Sequence, residues 1–171
     1  NLMYRHKTIT FIRNFLDKKL RGFYVSRIEI ERSRKATKVM VYTSRPGMII
    51  GRSGEGVVKL KGDLVKMLNK NKVSIPEDFK FDIVEVQNPD ADAMIVACGV
   101  AEGLEKRLPY RRVLKQMMEK VMATRGVKGA RIFLGGRLGG AEIARTDNIK
   151  KGSIPLQTIR ADVDFAREKA H

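Results

Sequence analysis

A chain of 171 residues is long enough for one domain or two small ones, and for a real hydrophobic core. Hydrophobic residues make up 43% of it, but aromatics only 6% and Trp is absent, so the core must be packed from Val, Ile, Leu, Met and Ala. The 35 Lys and Arg residues outnumber the 19 Asp and Glu and leave a net charge of +16, spread along the chain rather than held in a tail. An excess of that size repels itself in the free protein and calls for a polyanionic partner, nucleic acid before an anionic membrane surface. Membrane association would want one long basic amphipathic helix with exposed bulky apolar residues, and none is visible. The longest uncharged run is far short of a span. No signal peptide is visible, and because Asn1 is not an initiator Met, further residues are expected upstream. The single cysteine, Cys98, excludes a disulfide framework and a cysteine-rich zinc site. With His6 and His171 the only histidines, neither a metal nor a cofactor is expected.

In chain order, Ile9, Ile12, Phe15, Leu16 and Leu20 recur at helical spacing before Gly22, which predicts a helix over 8–21. Residues 25–31 alternate, with Ile28 and Ile30 on one face and Arg27, Glu29 and Glu31 on the other, as a half-buried strand does. A basic exposed turn over 32–36 leads to a second strand over 37–43. A short apolar turn, Pro46 to Ile50, then runs into Gly51-Arg52-Ser53-Gly54-Glu55-Gly56 and a helix over 55–69 with Val57, Val58, Leu64, Val65 and Leu68 as its apolar positions. A polar loop over 71–78 precedes a third strand over 81–86. Asn88-Pro89-Asp90 is a strong break and a helix-start signal. The domain boundary is expected there, giving an RNA-binding domain over 1–88 and a second domain over 89–171. The second half opens with helices over 91–107, carrying Met94, Ile95, Cys98, Ala101 and Leu104, and over 110–124, separated by Pro109. Strands are expected over 130–134, 141–147 and 158–165, with Lys150-Lys151-Gly152 as the turn between the last two. The whole reads as an α+β protein, its second domain packing two helices on a mainly antiparallel sheet.

The loop Gly51-Arg52-Ser53-Gly54 has the chemistry of a phosphate clamp. Two glycines remove side chains where a nucleotide backbone must approach. The helix that follows offers free N–H groups and the positive end of its dipole, and Arg52 adds a charge. A GxxG spacing alone is weak in a chain with 15 glycines, and a plain glycine turn between helices is the alternative. The order helix, strand, strand, short helix, GxxG, helix, strand favours the clamp, because it is that of a type II KH domain, whose loop holds about four nucleotides. The run from Gly51 to Gly56 has the wrong order for a dinucleotide fingerprint, and no glycine is followed by Lys and then Ser or Thr as in a P-loop.

Longer segments carry a resemblance to a known family. Arg45-Pro46-Gly47-Met48-Ile49-Ile50-Gly51 resembles the approach to the GxxG loop in the third small-subunit ribosomal protein. Gly136-Arg137-Leu138-Gly139-Gly140-Ala141-Glu142-Ile143-Ala144-Arg145-Thr146 matches the signature of its bacterial members. Ile154-Pro155-Leu156-Gln157-Thr158-Ile159-Arg160-Ala161-Asp162-Val163-Asp164 is similar to a further segment of theirs. The resemblance runs from about Ile9 to the end of the chain. It implies a non-enzymatic structural protein in the head of the small subunit, in the cytoplasmic ribosome. Such a protein binds small-subunit rRNA and lines the channel by which mRNA enters, where it assists mRNA positioning and unwinding. The implied neighbours are small-subunit proteins ten and fourteen in the head and four and five at the channel.

Carried over residue by residue, the basic set at the start of the channel helix falls on Arg111, Arg112 and Lys115. At about 100° per residue these three share one stripe, opposed by Val113, Met117 and Val121. A solvated basic face, tempered by Glu119, is the plain alternative. Further rRNA contacts are expected at Arg137, Arg145, Lys150, Lys151 and Arg160. Three departures from the family stand out: its N-terminal segment is missing, the chain ends at His171 before a final strand, and Ser53 stands where many members have Lys. Cys98 reads as a structural thiol and Met117, Met118 and Met122 as core filler. A nuclease acting on damaged DNA is the alternative of another class. Against it, no metal-binding carboxylate cluster, mid-chain histidine or P-loop is present, and the pair Glu142 and Asp147 has nothing to place it in a cleft. A free-standing KH regulator of mRNA is disfavoured by the match from Gly136 to Thr146.

Overall fold

The computed structural model describes residues 2–33, 36–70 and 78–171. The chain divides into two compact units, Asn1–Gln87 and Asn88–His171. Most of the loop expected over 71–78, and the centre of the turn over 32–36, lie outside the described residues.

The first unit opens with α1 (Leu2–Lys19), which begins well before residue 8 because neither Pro nor Gly interrupts the sequence there. Strands β1 (Val25–Arg32) and β2 (Ala36–Thr43) pair antiparallel, with Ile28 opposite Val41 and Ile30 opposite Val39. β3 (Asp78–Glu85) then pairs with β2 in parallel, Val39 against Phe81 and Val41 against Ile83. The sheet order is β1-β2-β3, so β2 is central. Its alternation is strict: Thr37, Val39, Val41 and Thr43 are buried while the residues between them are only half-buried. The parallel pairing needs a crossover, and residues 46–70 supply it as two helices, α2 (Pro46–Ile50) and α3 (Glu55–Lys70). The expected apolar turn over 46–50 is therefore one short helix, begun by Pro46, whose fixed φ suits the first helical position. The core joins Ile12, Leu16 and Leu20 to Leu64 and Leu68, over Ile28, Val39, Val41, Ile49 and Phe79.

The second unit begins with α4 (Ala93–Glu105). Its N-terminus is satisfied by Asp92, whose carboxylate accepts from the Met94 and Ile95 amides at 3.0 and 3.1 Å. α5 (Tyr110–Ala123) follows, and α4 packs on it where Gly103 faces Val113; a Cβ on Gly103 would stand 3.0 Å from the valine Cγ1. Ile95, Val100 and Ala101 of α4 and Val113, Leu114, Met118 and Val121 of α5 are buried, and the two helices pack on each other. Met117, expected in the core, is only half-buried, as are Met122 and Cys98; Met118 and Leu114 take the central positions. β4 (Gly129–Gly136) and β5 (Arg145–Gly152) form an antiparallel hairpin against α5.

Two expectations about this sheet are corrected. The strand expected over 141–147 falls instead at 145–152, so Lys150, Lys151 and Gly152 are strand and not turn. The chain bends at Gly152 and Ser153, where Gly152 has φ of 76° and the Ser153 amide donates to the Lys128 carbonyl. The apolar residue that suggested the earlier strand, Ile143, is 80% exposed in the hairpin loop. Residues 158–165 form no strand: their alternating Ile159, Val163 and Phe165 are exposed and no described backbone pairs with them. Pairing of N–H and C=O groups, not side-chain alternation, decides what becomes a strand. The segment is tied instead along α4, where the Asp164 carboxylate accepts from the Ala93 amide at 2.8 Å and the His171 amide donates to Glu105 at 3.1 Å. Among the described residues no helix is long and apolar enough to cross a membrane.

Candidate nucleic-acid interface

The loop between α2 and α3 is shaped by its backbone. Gly51 has φ of 70° and ψ of −172°, a conformation essentially closed to residues with a Cβ. Gly54 has φ of 82°. Between them Ser53 is left-handed at φ 52° and ψ 24°, which costs a non-glycine residue about 1 kcal/mol. Gly56, inside the first turn of α3, lies against the end of α2: a Cβ there would be 2.3 Å from the Ile49 carbonyl oxygen and 2.8 Å from that of Ile50. Gly56, the last residue of the glycine-rich run, lets the two helices meet, a role that spacing alone does not reveal.

Thr43 braces the approach to the loop. It is fully buried, its hydroxyl donates to the Phe23 carbonyl at 2.9 Å, and the same oxygen accepts from the Arg45 amide at 3.1 Å. The Arg45 guanidinium sits 4.6 Å from the centre of the Tyr24 ring, so this arginine is used locally. Arg52 and Ser53 remain exposed, as do Met48, Ile50 and Val58 beside them. The structure thus presents Gly51, Arg52, Ser53 and Gly54 together, as a cradle of backbone with one charged side chain.

In the second unit the basic stripe stands on the exposed side of α5. Arg111, Arg112 and Lys115 are exposed while Val113, Leu114, Met118 and Val121 hold the opposite face in the core. Arg111 is steadied by Tyr110, whose hydroxyl accepts from its Nε at 3.1 Å. The Tyr110 ring in turn lies against Gly139 of the hairpin loop, where a Cβ would be 3.8 Å from Cε1. Glu119 makes no ion pair with the stripe. The five further basic residues do not form one cluster. Arg137 is turned back into its own loop, donating from Nε to the Ala141 carbonyl at 2.9 Å. Arg145 and Lys151 share one face of β5 with half-buried Asp147 and Ile149, whereas Lys150 lies on the other. Arg160 is exposed in the segment along α4. Among the described residues no three of His, Cys, Asp and Glu assemble to hold a metal.

Comparison with known proteins accounts for both units. Residues 11–91 match the family described as KH domain, and residues 100–171 match that described as ribosomal protein S3, C-terminal domain. The small ribosomal subunit protein uS3 of Clostridium botulinum (strain Okra / Type B1) is 46% identical over 170 residues, 99% of this chain and 71% of the relative. That of Clostridium tetani (strain Massachusetts / E88) is 46% identical over 159 residues, covering 93% and 69%. With the KH and C-terminal families matched in succession and near half of all positions identical to these relatives, this chain belongs to the S3 family of small-ribosomal-subunit proteins.

Proposed function

We propose that this chain, a structural and non-enzymatic protein of the small subunit in the cytoplasmic ribosome, holds small-subunit rRNA with its two domains, 1–88 and 89–171, and lines the channel by which mRNA enters with Arg111, Arg112 and Lys115. The observation that carries the reading is the division of α5. One face is locked into the core by four buried apolar residues, and the other carries three exposed cations on a rigid helix. Such a rod grips a phosphate backbone without reading sequence, which suits an mRNA that changes with every message. The Gly51–Gly54 loop is then a second nucleic-acid contact, and Arg137, Arg145, Lys150, Lys151 and Arg160 add charge toward rRNA. Small-subunit proteins ten and fourteen, and four and five at the channel, are the protein neighbours this role implies.

The test is the double substitution Arg111→Ala with Arg112→Ala in assembled ribosomes. Neither side chain is in the core, so assembly is retained, and translation through a stable mRNA hairpin slows by about tenfold while unstructured mRNA is read normally. Unchanged passage through the hairpin would remove these residues from the mechanism.

A further inference from the structure

The hairpin has a second face that the expected basic sites only touch. Alternation puts Ala130, Ile132 and Leu134 of β4 on the half-buried side. It puts Arg131, Phe133 and Gly135 on the side open to solvent, and in register opposite them stand Lys150, Asn148 and Thr146 of β5. Phe133 is 58% exposed in the middle of this face. Its ring leans over Gly135, where an added Cβ would lie 3.7 Å from Cε1 and 3.8 Å from the Thr146 methyl. One edge of the ring rests against this bare backbone position, and more than half of the residue is open to solvent. Arg131 and Lys150 are directly opposed, and like charges facing each other across a ladder are destabilising. Neither has an ion-pair partner among the described residues. The arrangement is therefore unfavourable in isolation, and a single anion held between the two cations would relieve it.

We propose that this open face of the β4–β5 hairpin binds an unpaired RNA nucleotide, its base stacked on Phe133 and its phosphate held between Arg131 and Lys150. Residues two apart on a strand are separated by about 7 Å, so the phosphate position and the ring lie within one nucleotide of each other. Asn148, opposite Phe133, brings both a donor and an acceptor to the edge of the stacked base. Stacking on a ring is tolerant of base identity, so the site takes single-stranded RNA with little sequence preference. The proposal rests on the reading of the chain as an RNA-binding protein, but on different residues from the α5 stripe.

The test uses the whole chain and an eight-residue oligouridylate. Phe133→Leu keeps an apolar cover over Gly135 and removes the ring face; affinity falls about tenfold, with the slope of log affinity against log salt unchanged because no charge is lost. Phe133→Trp restores affinity. Since the chain has no Trp, this variant also gives it a single indole, whose emission is quenched as the oligonucleotide binds. Lys150→Ala lowers the salt slope by about 0.7. If wild-type chain binds but Phe133→Leu binds equally well and the Trp emission is unmoved, the stacking site is wrong while the RNA-binding reading stands. If wild-type chain fails to bind at low salt, both fall. If Phe133→Leu leaves oligonucleotide binding intact but blocks incorporation into the small subunit, the face is a protein contact and the proposal is overturned.

Discussion

In the first unit, the exposed loop is made of backbone: Gly51, Ser53 and Gly54 at positive φ, Gly56 pressed against α2, and Arg52 the one charged side chain between Gly51 and Gly54. The second unit's basic stripe is made of side chains: Arg111, Arg112 and Lys115 on a helix of ordinary geometry, with exposed Arg131 and Lys150 on a plain hairpin. A backbone cradle depends on conformation, so it fails when a Cβ is added and tolerates changes of charge. A side-chain surface depends on the number of cations, so it weakens by steps as they are removed and tolerates changes of local stability.

The largest effect expected from this contrast is at Gly56. Alanine there places a Cβ 2.3 Å from the Ile49 carbonyl oxygen, an approach no atom pair sustains, so α2 must shift away from α3. Ile49 is itself buried in the core of the unit, so the shift disturbs packing as well as the loop. Gly56→Ala is expected to lower stability in urea by about 3 kcal/mol. A midpoint equal to that of wild type would show that α2 slides freely and that the cradle is not set by this contact.

That position illustrates what the sequence made legible and what it did not. The strands and helices of the first unit follow from periodicity, because each element has one buried face and the alternation of β2 is complete. The GxxG loop was visible as spacing, but the reason for Gly56 is its close approach to the end of α2, and the buried bracing hydroxyl of Thr43 and the use of Arg45 against Tyr24 depend on contacts across some twenty positions of chain, such as Thr43 to Phe23. In the second unit the helices were legible for the same reason as before. The sheet was not: β5 is mostly polar and exposed, whereas 158–165 alternates well and finds no strand to pair with among the described residues, Ile159 being 103% exposed and Phe165 84%. Arg131 and Phe133 could have been found, since their alternation with Ile132 and Leu134 was already in the predicted strand; what was missing was the register that sets Lys150 opposite Arg131.

A smaller effect tests the other half of the contrast. Asp92 caps α4 through two amides, and Asp92→Ala is expected to cost about 1 kcal/mol. The loss is limited because the Asp164 carboxylate still accepts from the Ala93 amide at the same helix end. Hydrogen exchange should quicken at the Met94 and Ile95 amides while the β2 amides keep their protection. Oligonucleotide affinity should be unchanged, because the cations of α5 and the hairpin are still present. A parallel loss of affinity would mean that the side-chain surface is as sensitive to local stability as the loop is, and the contrast would collapse.

The smallest effect is the most pointed, because it moves one kind of site toward the other. Ser53 already holds the left-handed conformation and its side chain is exposed, so Ser53→Lys exchanges one strained non-glycine residue for another and adds a cation beside Arg52. No glycine is touched, so the cradle keeps its shape and the stability measured in urea should stay within about 0.5 kcal/mol of wild type. If the loop contacts phosphate, the salt slope for single-stranded RNA rises by about 0.7, the value for one further neutralised phosphate, and affinity at low salt rises a few-fold. If the loop faces no phosphate, the added lysine raises net charge alone, and an equal rise would follow from a lysine at any other exposed position, such as Asn69 on α3. Comparing Ser53→Lys with Asn69→Lys therefore separates a phosphate held by the loop from general attraction of RNA to a protein of charge +16.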